Sequence, residues 1–316
     1  MRPTLIAEVT VAEPRWITFH DGIGWLVHHT ADRAVTLLAP DLRSAVRIDV
    51  PVTAQLRASI STDHLAAVTL DELVVCDRQG TPLWRRDLVI ERGRGLPCEP
   101  NCHLDTHGVL WVYLPDGDEL VAHDAGSGME IDRIRLDSSV GAADFWPHPD
   151  GHRLGFHVAM GQDAPLSYLA WLDNGQIVGR DLPGGFLAGF DPAGDRYLAM
   201  PHAIDDLSVR SLATGETVAA RPTDDWPLME ASAFVSGNHI LVAVDTDDDY
   251  EDHLLLSART LNRCADLYYA QPMLTNSIAA TDGRGRWITN SHRQDVIRLW
   301  QLPEPVDAIP GQQQLW

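Results

Sequence analysis

The sequence contains no lysine, because all 24 of its lysine and arginine positions are arginine. Schiff-base catalysis and nucleotide hydrolysis at a phosphate loop both need a lysine ε-amine, so both classes of enzyme are excluded. No run approaches the ~20 apolar residues of a membrane-spanning helix, and residues 1–7 lack the apolar core of a secretory signal. We therefore expect a cytoplasmic protein without membrane contact.

Cysteines and hydrolase motifs are also scarce. The chain of 316 residues has 4 cysteines, which we interpret as reduced thiols rather than a disulfide framework. The Gly-x-Ser-x-Gly and His-Glu-x-x-His motifs are absent. A formal net charge of −21 repels a nucleic-acid backbone. Composition therefore favours a protein that binds no nucleic acid and carries no recognisable hydrolase site.

A short phrase recurs seven times along the chain, with apolar positions two apart, usually an Asp before it and a turn after it. The copies occupy residues 35–38, 73–77, 120–124, 169–173, 207–210, 254–257 and 297–300. Their starts lie 38, 47, 49, 38, 47 and 43 residues apart. Such a period, filled with strands and turns, is typical of propeller blades. The pattern predicts an all-β fold, a seven-bladed β-propeller in which the phrase is the third of four strands per blade.

The two ends of the chain complete this count. The apolar run at residues 5–11 has no blade of its own, and Pro303 and Pro305 stop strand pairing after the last phrase. The N-terminal strand is therefore predicted to close the last blade as its outer strand, which removes two free sheet edges. This gives a propeller over residues 1–303 and a C-terminal tail over residues 304–316.

Two segments carry a resemblance to a known family. Residues 295–302, Asp-Val-Ile-Arg-Leu-Trp-Gln-Leu, resemble the ending of a WD repeat, and residues 207–218 match that ending plus its turn. The Gly-His dipeptide that opens standard repeats is missing at the opening position, and Cys76, His123 and Ser257 stand at the Trp position elsewhere. The resemblance implies a divergent, bacterial-type WD-repeat-like propeller that acts as a scaffold and presents loops to a partner. The matching aspartates are expected to brace turns; they are Asp32, Asp71, Asp118, Asp205, Asp252 and Asp295.

The loops that enter the inner strands of such a ring gather on one face. Here they are rich in Trp, Phe and Arg, the composition of protein-interaction hot spots. The residues predicted to form this partner-binding face are Arg15, Trp16, Arg57, His103, Trp146, Phe186, Trp226 and His292. The aromatic members would alternatively wedge between neighbouring blades. The favoured function is a non-enzymatic intracellular scaffold that binds a protein partner and needs no cofactor.

The alternative is a small-molecule enzyme or binding protein that uses the mouth of the channel. Some six-bladed lactonase-like propellers hold a divalent metal there with Glu and Asn ligands, and seven blades fit that resemblance less well. The residues of the right type on inner-strand entries are Glu99, Asn101, Glu230 and Asn276. Bound metal in the purified protein would distinguish this alternative from the scaffold.

Two other patterns contain metal-binding residue types. Cys98, Cys102, His103 and His107 offer zinc donors, but neighbouring residues on a strand point to opposite faces, so a structural role is expected. The acidic run at residues 245–252 begins like a calcium loop and lacks its glycine, so we expect a solvated hairpin tip. His28 and His29 are expected in a loop on the binding face.

Overall fold

The computed structural model describes residues 1–29, 33–52, 56–88, 90, 99–138, 141–160, 163–200, 207–222, 229–247, 250–270, 273–274, 278–291 and 294–303. These residues form 29 strands joined by turns and loops, and none of them is helical. It follows that the described part of the chain has no helix of the length and apolarity needed to cross a membrane. The strands group into seven separate sheets.

The first three sheets follow the chain in order, each from its inner to its outer strand. Blade 1 contains β2 (Pro14–His20), β3 (Gly24–His29), β4 (Ala34–Leu38) and β5 (Ala45–Asp49). Blade 2 contains β6 (Arg57–Ile60), β7 (His64–Val68), β8 (Glu72–Asp77) and β9 (Pro82–Asp87). Blade 3 contains β10 (Asn101–Leu104), β11 (Val109–Leu114), β12 (Glu119–Asp124) and β13 (Glu130–Arg135).

The next three sheets repeat the same antiparallel order. Blade 4 contains β14 (Ala142–Pro147), β15 (Leu154–Met160), β16 (Asp163–Asp173) and β17 (Gln176–Asp181). Blade 5 contains β18 (Phe186–Phe190), β19 (Arg196–Met200), β20 (Leu207–Ser211) and β21 (Thr217–Arg221). Blade 6 contains β22 (Met229–Ser236), β23 (His239–Asp247), β24 (Tyr250–Ser257) and β25 (Arg263–Leu267), and the short β26 (Met273–Leu274) also pairs with β24.

Blade 7 joins the two ends of the chain. It contains β27 (Ile278–Thr281), β28 (Arg286–Ser291), β29 (Gln294–Gln301) and, outermost, β1 (Thr4–Thr10). β1 runs antiparallel to β29, with Val9 opposite Ile297 and Glu8 opposite Arg298. The predicted all-β, seven-bladed β-propeller, closed by the N-terminal strand, is thereby confirmed. The tail at residues 304–316 lies outside the described residues, and its boundary stays a prediction.

The core is divided among the interfaces between blades. Seven clusters of buried apolar residues occur in the described chain, each spanning two neighbouring blades. The alternation of side chains along the third strand explains why each cluster spans two blades. In β8, Val74 and Cys76 pack toward blade 1, whereas Leu73 and Val75 pack toward blade 3. A strand period of two therefore supplies both faces of each blade.

Aspartates brace several turns between first and second strands, at positions other than those that the sequence predicted. In the hairpin after β18, Asp191 Oδ1 accepts the N–H groups of Asp195 and Arg196 at 2.9 and 3.0 Å. The same arrangement occurs at Asp105, Asp150 and Asp282.

Among the predicted turn-bracing aspartates, Asp295 accepts the N–H of Glu13, whereas buried Asp118 accepts the hydroxyl groups of Tyr113 and Ser138. Asp32 and Asp205 lie outside the described residues.

Candidate partner-binding face

The entries to the inner strands lie at the same end of each sheet as the connections between second and third strands, because every blade is a simple meander. Residues from five consecutive blades meet at this end. We call them the mouth cluster; they are Trp16 on β2, Arg57 on β6, Glu99 before β10, Asp144 on β14, His157 on β15 and Phe186 on β18. Trp16, Arg57 and Phe186 are residues that the sequence placed on the partner-binding face.

Arg57 links four blades without a fixed hydrogen bond to its neighbours in the cluster. Its guanidinium carbon lies 3.5 Å from the centroid of the Trp16 ring, which is a stacking contact. Nε lies 3.6 Å from Glu99 Oε2, and Nη1 lies 3.9 Å from Asp144 Oδ1. Both distances exceed hydrogen-bond length, and Nε is buried without a hydrogen-bond partner. Arg57 is therefore stacked on Trp16 and lies within ion-pair distance of both carboxylates without a hydrogen bond to either.

His157 is a neutral histidine held in one tautomer. Nδ1 lies 3.2 Å from the Leu187 carbonyl, and because a carbonyl can only accept, Nδ1 carries the hydrogen. Burial lowers the pKa of His157 below its usual value, although the charge of Asp144 opposes the shift. Nε2 therefore has a lone pair, and it lies 3.8 Å from Asp144 Oδ2. Two hydrogen-bond acceptors, His157 Nε2 and Asp144 Oδ2, therefore face each other at this distance.

Aromatic rings surround His157. The Phe186 ring lies 4.9 Å from the imidazole and meets it edge to face, and the Trp146 ring lies 4.8 Å away. Trp146 is half-buried against the core between blades 4 and 5, next to Leu187 and Tyr197. Trp146 therefore packs between blades and also contacts His157, and its part in partner binding stays a prediction.

His28 lies beneath this face. The sequence suggested a loop, but His28 is on β3, 3% exposed, with its ring perpendicular to that of Trp16 at 6.3 Å. Neither ring nitrogen has a hydrogen-bond partner; the Leu56 carbonyl is nearby and counteracts the pKa shift only weakly. Burial, assisted by the charge of Arg57, lowers the pKa of His28 to about 3. The expectation of a loop is wrong, because His28 pairs with Trp16 of β2 and with Val35 of β4 inside the sheet.

His103 lies inside the ring rather than among these residues. It is 8% exposed, and its ring stacks on that of His20 at 6.3 Å, with Phe145 at 6.5 Å. Burial lowers the pKa of His103 to about 3 and that of His20 to about 4. Three further residues of the predicted face cannot be placed, because the side chain of Arg15 and the residues Trp226 and His292 lie outside the described structure.

The residues of the metal alternative have other contacts where they are described. Asn101 Nδ2 donates to the Ala143 carbonyl at 2.8 Å, and its Oδ1 accepts the N–H of Cys102 at 2.9 Å. Glu99 is the carboxylate beside Arg57. The Glu230 side chain and Asn276 lie outside the described residues. Within the described chain, no group of three or more His, Cys, Asp or Glu residues is placed to hold a metal.

The zinc pattern is also dispersed where it can be seen. Cys102 is buried, with its thiol 3.7 Å from the Arg57 carbonyl, and burial raises the pKa of Cys102 to about 12. His107 is an exposed turn residue whose ring meets that of His152. Cys98 lies outside the described residues. The thiol of Cys102 is therefore buried and protonated at neutral pH.

The sequence reasoning missed His157. A usable signal existed: Asp144 lies six residues before Asp150 and His157 lies six residues after Gly151, so the two face each other in a hairpin that turns at Asp150-Gly151. His28 had no comparable signal, since its position depends on the packing of blade 1 against blade 2.

Comparison with family models gives no match, and comparison with curated protein sequences gives none either. Solved structures do resemble the chain. The β-propeller domain of Cps50 (Swd1) from Myceliophteria thermophila has a TM-score of 0.65 at 11% identity, covering 95% of this chain and 100% of that one. The C-terminal WD40 domain of Sif2 has a TM-score of 0.56 at 11% identity, covering 96% and 99%.

An enzyme of known structure also has a similar fold. Virginiamycin B lyase from Staphylococcus aureus has a TM-score of 0.63 at 12% identity, covering 96% of this chain and 100% of that one. Identities this low show the fold and leave the activity open. The chain is thus a β-propeller whose fold is shared by WD40 domains and by a lyase.

Proposed function

We propose that this protein is a divergent, WD-repeat-like scaffold without enzymatic activity, and that a protein partner binds at the mouth cluster. The observation that carries the proposal is the contact of aromatic and charged side chains from five consecutive blades at one end of the ring. Propellers present such faces on a rigid frame, which limits the entropy lost on binding.

The gradient of exposure across the cluster supports this proposal. The side chain of Arg57 is 20% exposed, that of Glu99 is 37% exposed and that of Asp144 is 48% exposed. A half-buried aromatic and arginine centre with a charged, more exposed rim is the anatomy of a protein interface. Trp226 and His292 would extend this face by their positions in the chain.

The test is affinity purification from the native cell, followed by mass spectrometry, with variants of the face. We expect Trp16→Ala and Phe186→Ala each to lower recovery of the specific partner at least about tenfold, as for hot-spot aromatics. Tyr268→Ala is the matched control, because Tyr268 is 60% exposed on the outside of blade 6. Equal recovery by all three variants, at unchanged melting temperature, would refute the proposed face.

Elemental analysis of the purified protein tests the enzyme alternative. The scaffold predicts no stoichiometric metal. Stoichiometric metal that disappears in Asn101→Ala or Glu230→Ala would instead establish the metal-dependent site at the channel mouth. A Tyr268→Ala sample, prepared in parallel, controls for metal acquired during purification.

A further inference from the structure

Among the described residues, no hydrogen-bond donor bridges His157 Nε2 and Asp144 Oδ2. Nε2 of the neutral imidazole and Oδ2 of the carboxylate both accept hydrogen bonds, and they lie 3.8 Å apart. An N–H group from outside could satisfy both acceptors. No pair of acceptors gains from facing each other at this distance unless such a donor approaches.

The nearby arginine of the protein does not fill this role. Arg57 is stacked on Trp16, and its Nη1 stops 3.9 Å from Asp144 Oδ1, on the other carboxylate oxygen. Glu99, at 3.6 Å from Nε, is likewise not hydrogen-bonded by Arg57. Both carboxylates therefore keep acceptor positions that no hydrogen bond from Arg57 occupies, on side chains that are 37% and 48% exposed.

The charge of the cluster selects a cation. With His157 neutral, Glu99 and Asp144 contribute two negative charges against the one positive charge of Arg57. The whole chain has a formal charge of −21, which accelerates the approach of a basic partner and slows that of an acidic one. An anionic ligand could gain only Arg57 and would have to approach two carboxylates.

We propose that the mouth cluster receives an arginine side chain of the protein partner, with its guanidinium donating to Asp144 and to His157 Nε2. A guanidinium has five donors in a planar fork, so it can satisfy two acceptors at once and stack against the ring of Phe186. A lysine ammonium carries the same charge but lacks the planar, forked arrangement of donors. The inference rests on the proposed function, since it assigns the chemistry of the partner at that face.

Short Gly/Ser peptides with one central arginine, citrulline, lysine or glutamate test the assignment by NMR titration. Citrulline has nearly the shape of arginine and no charge. We expect the arginine peptide to bind at least about tenfold more tightly than the citrulline peptide, and more tightly at low than at high salt. Equal affinity for both peptides, tighter binding of the glutamate peptide, or no binding of the arginine peptide would overturn the inference.

Variants of the protein locate the binding. Asp144→Asn should weaken the arginine peptide about tenfold, whereas Asp173→Asn, an exposed turn residue of the same blade, should not. Equal affinity of the arginine peptide for both variants would refute the arginine site at Asp144.

The two proposals fail separately. If Trp16→Ala loses the partner while Asp144→Asn retains it, the binding face stands and the arginine assignment falls. If both variants recover the partner as well as the wild-type protein does, the proposed binding face is wrong.

Discussion

Several histidines are buried inside the propeller ring. The chain has 14 histidines, and the sequence placed His28 in a loop and His103 on the partner-binding face. His20, His28 and His103 instead lie inside the ring, at 8%, 3% and 8% exposure. A neutral imidazole can be buried at a moderate cost, whereas an imidazolium without a partner cannot. These side chains therefore tie the stability of the ring to their being uncharged.

The first prediction concerns pH. Burial lowers the pKa of His28 from 6.5 to about 3 in the folded chain. Between these values the unfolded chain binds a proton that the folded chain does not, so the free energy of unfolding falls as pH decreases from about 6.5 towards 3. His28→Leu should reduce this slope by about one proton, which is about 1.4 kcal/mol per pH unit.

Urea unfolding, followed by tryptophan fluorescence at a series of pH values, measures this slope. Carboxylates also contribute to it, so the comparison with wild type is essential. His152→Leu removes an exposed histidine in a turn and is the matched control. A slope in His28→Leu that equals that of wild type would contradict the burial of a neutral His28.

At the scale of elements, an aspartate and an arginine together join neighbouring blades. Asp191 holds its own hairpin through Oδ1, and its Oδ2 accepts Arg196 Nε at 2.9 Å. Arg196 then donates to the carbonyls of Gly237 and Ala258 in blade 6, at 2.9 and 3.1 Å. Asp282 and Arg286 repeat the arrangement from blade 7 to the Pro40 carbonyl of blade 1.

The second prediction tests this link between blades, which Asp191 and Arg196 form together. Asp191→Ala removes the acceptor of two backbone N–H groups and of Arg196 Nε, so we expect a loss of about 3 kcal/mol in the free energy of unfolding. Asp21→Ala removes an aspartate that is 67% exposed and paired with Arg284, and should cost less than about 1 kcal/mol. Chemical denaturation of both variants measures the difference, and equal losses would show that Asp191 braces nothing beyond its turn.

The whole molecule depends on the closure of blade 7. β1 supplies the outer edge of that blade, and Ala7 and Val9 pack against the cluster that joins blades 7 and 1. Each blade buries both of its faces against its neighbours, so separating two blades exposes a buried face of each. We therefore expect the ring to lose stability as a unit.

The third prediction places a charge in this joint. Val9→Asp should lower the free energy of unfolding by about 2–3 kcal/mol, because a carboxylate replaces a partly buried apolar side chain near Ile17 and Leu299. Glu8→Gln is the control on the other face of β1, where the side chain is 58% exposed, and should change stability by less than about 0.5 kcal/mol.

Calorimetry should show one transition, shifted downward, in Val9→Asp. If the melting temperature of Val9→Asp equals that of Glu8→Gln, β1 contributes nothing to ring closure. Two separate transitions would show that blade 7 unfolds independently of the others.

Much of the candidate site followed from the sequence because loop positions follow from the repeat. Trp16, Arg57 and Phe186 were predicted from their places at inner-strand entries, and they do come together. His157 and His28 lie on second strands, where a histidine looks like any half-buried strand residue. Their roles arise from contacts between blades that are far apart in sequence, as when His28 meets the charge of Arg57.

The sequence by itself determined the number of blades, the strand order and the closure by β1, because a period of two within strands and a repeat near 45 residues leave few other ways to bury the apolar positions. Only the tertiary structure decided which side chains face the mouth, which histidines are buried and which aspartates hold turns. Those outcomes depend on the sub-ångström to ångström placement of neighbouring blades, and hydrogen bonds and ion pairs change over that range whereas apolar burial does not.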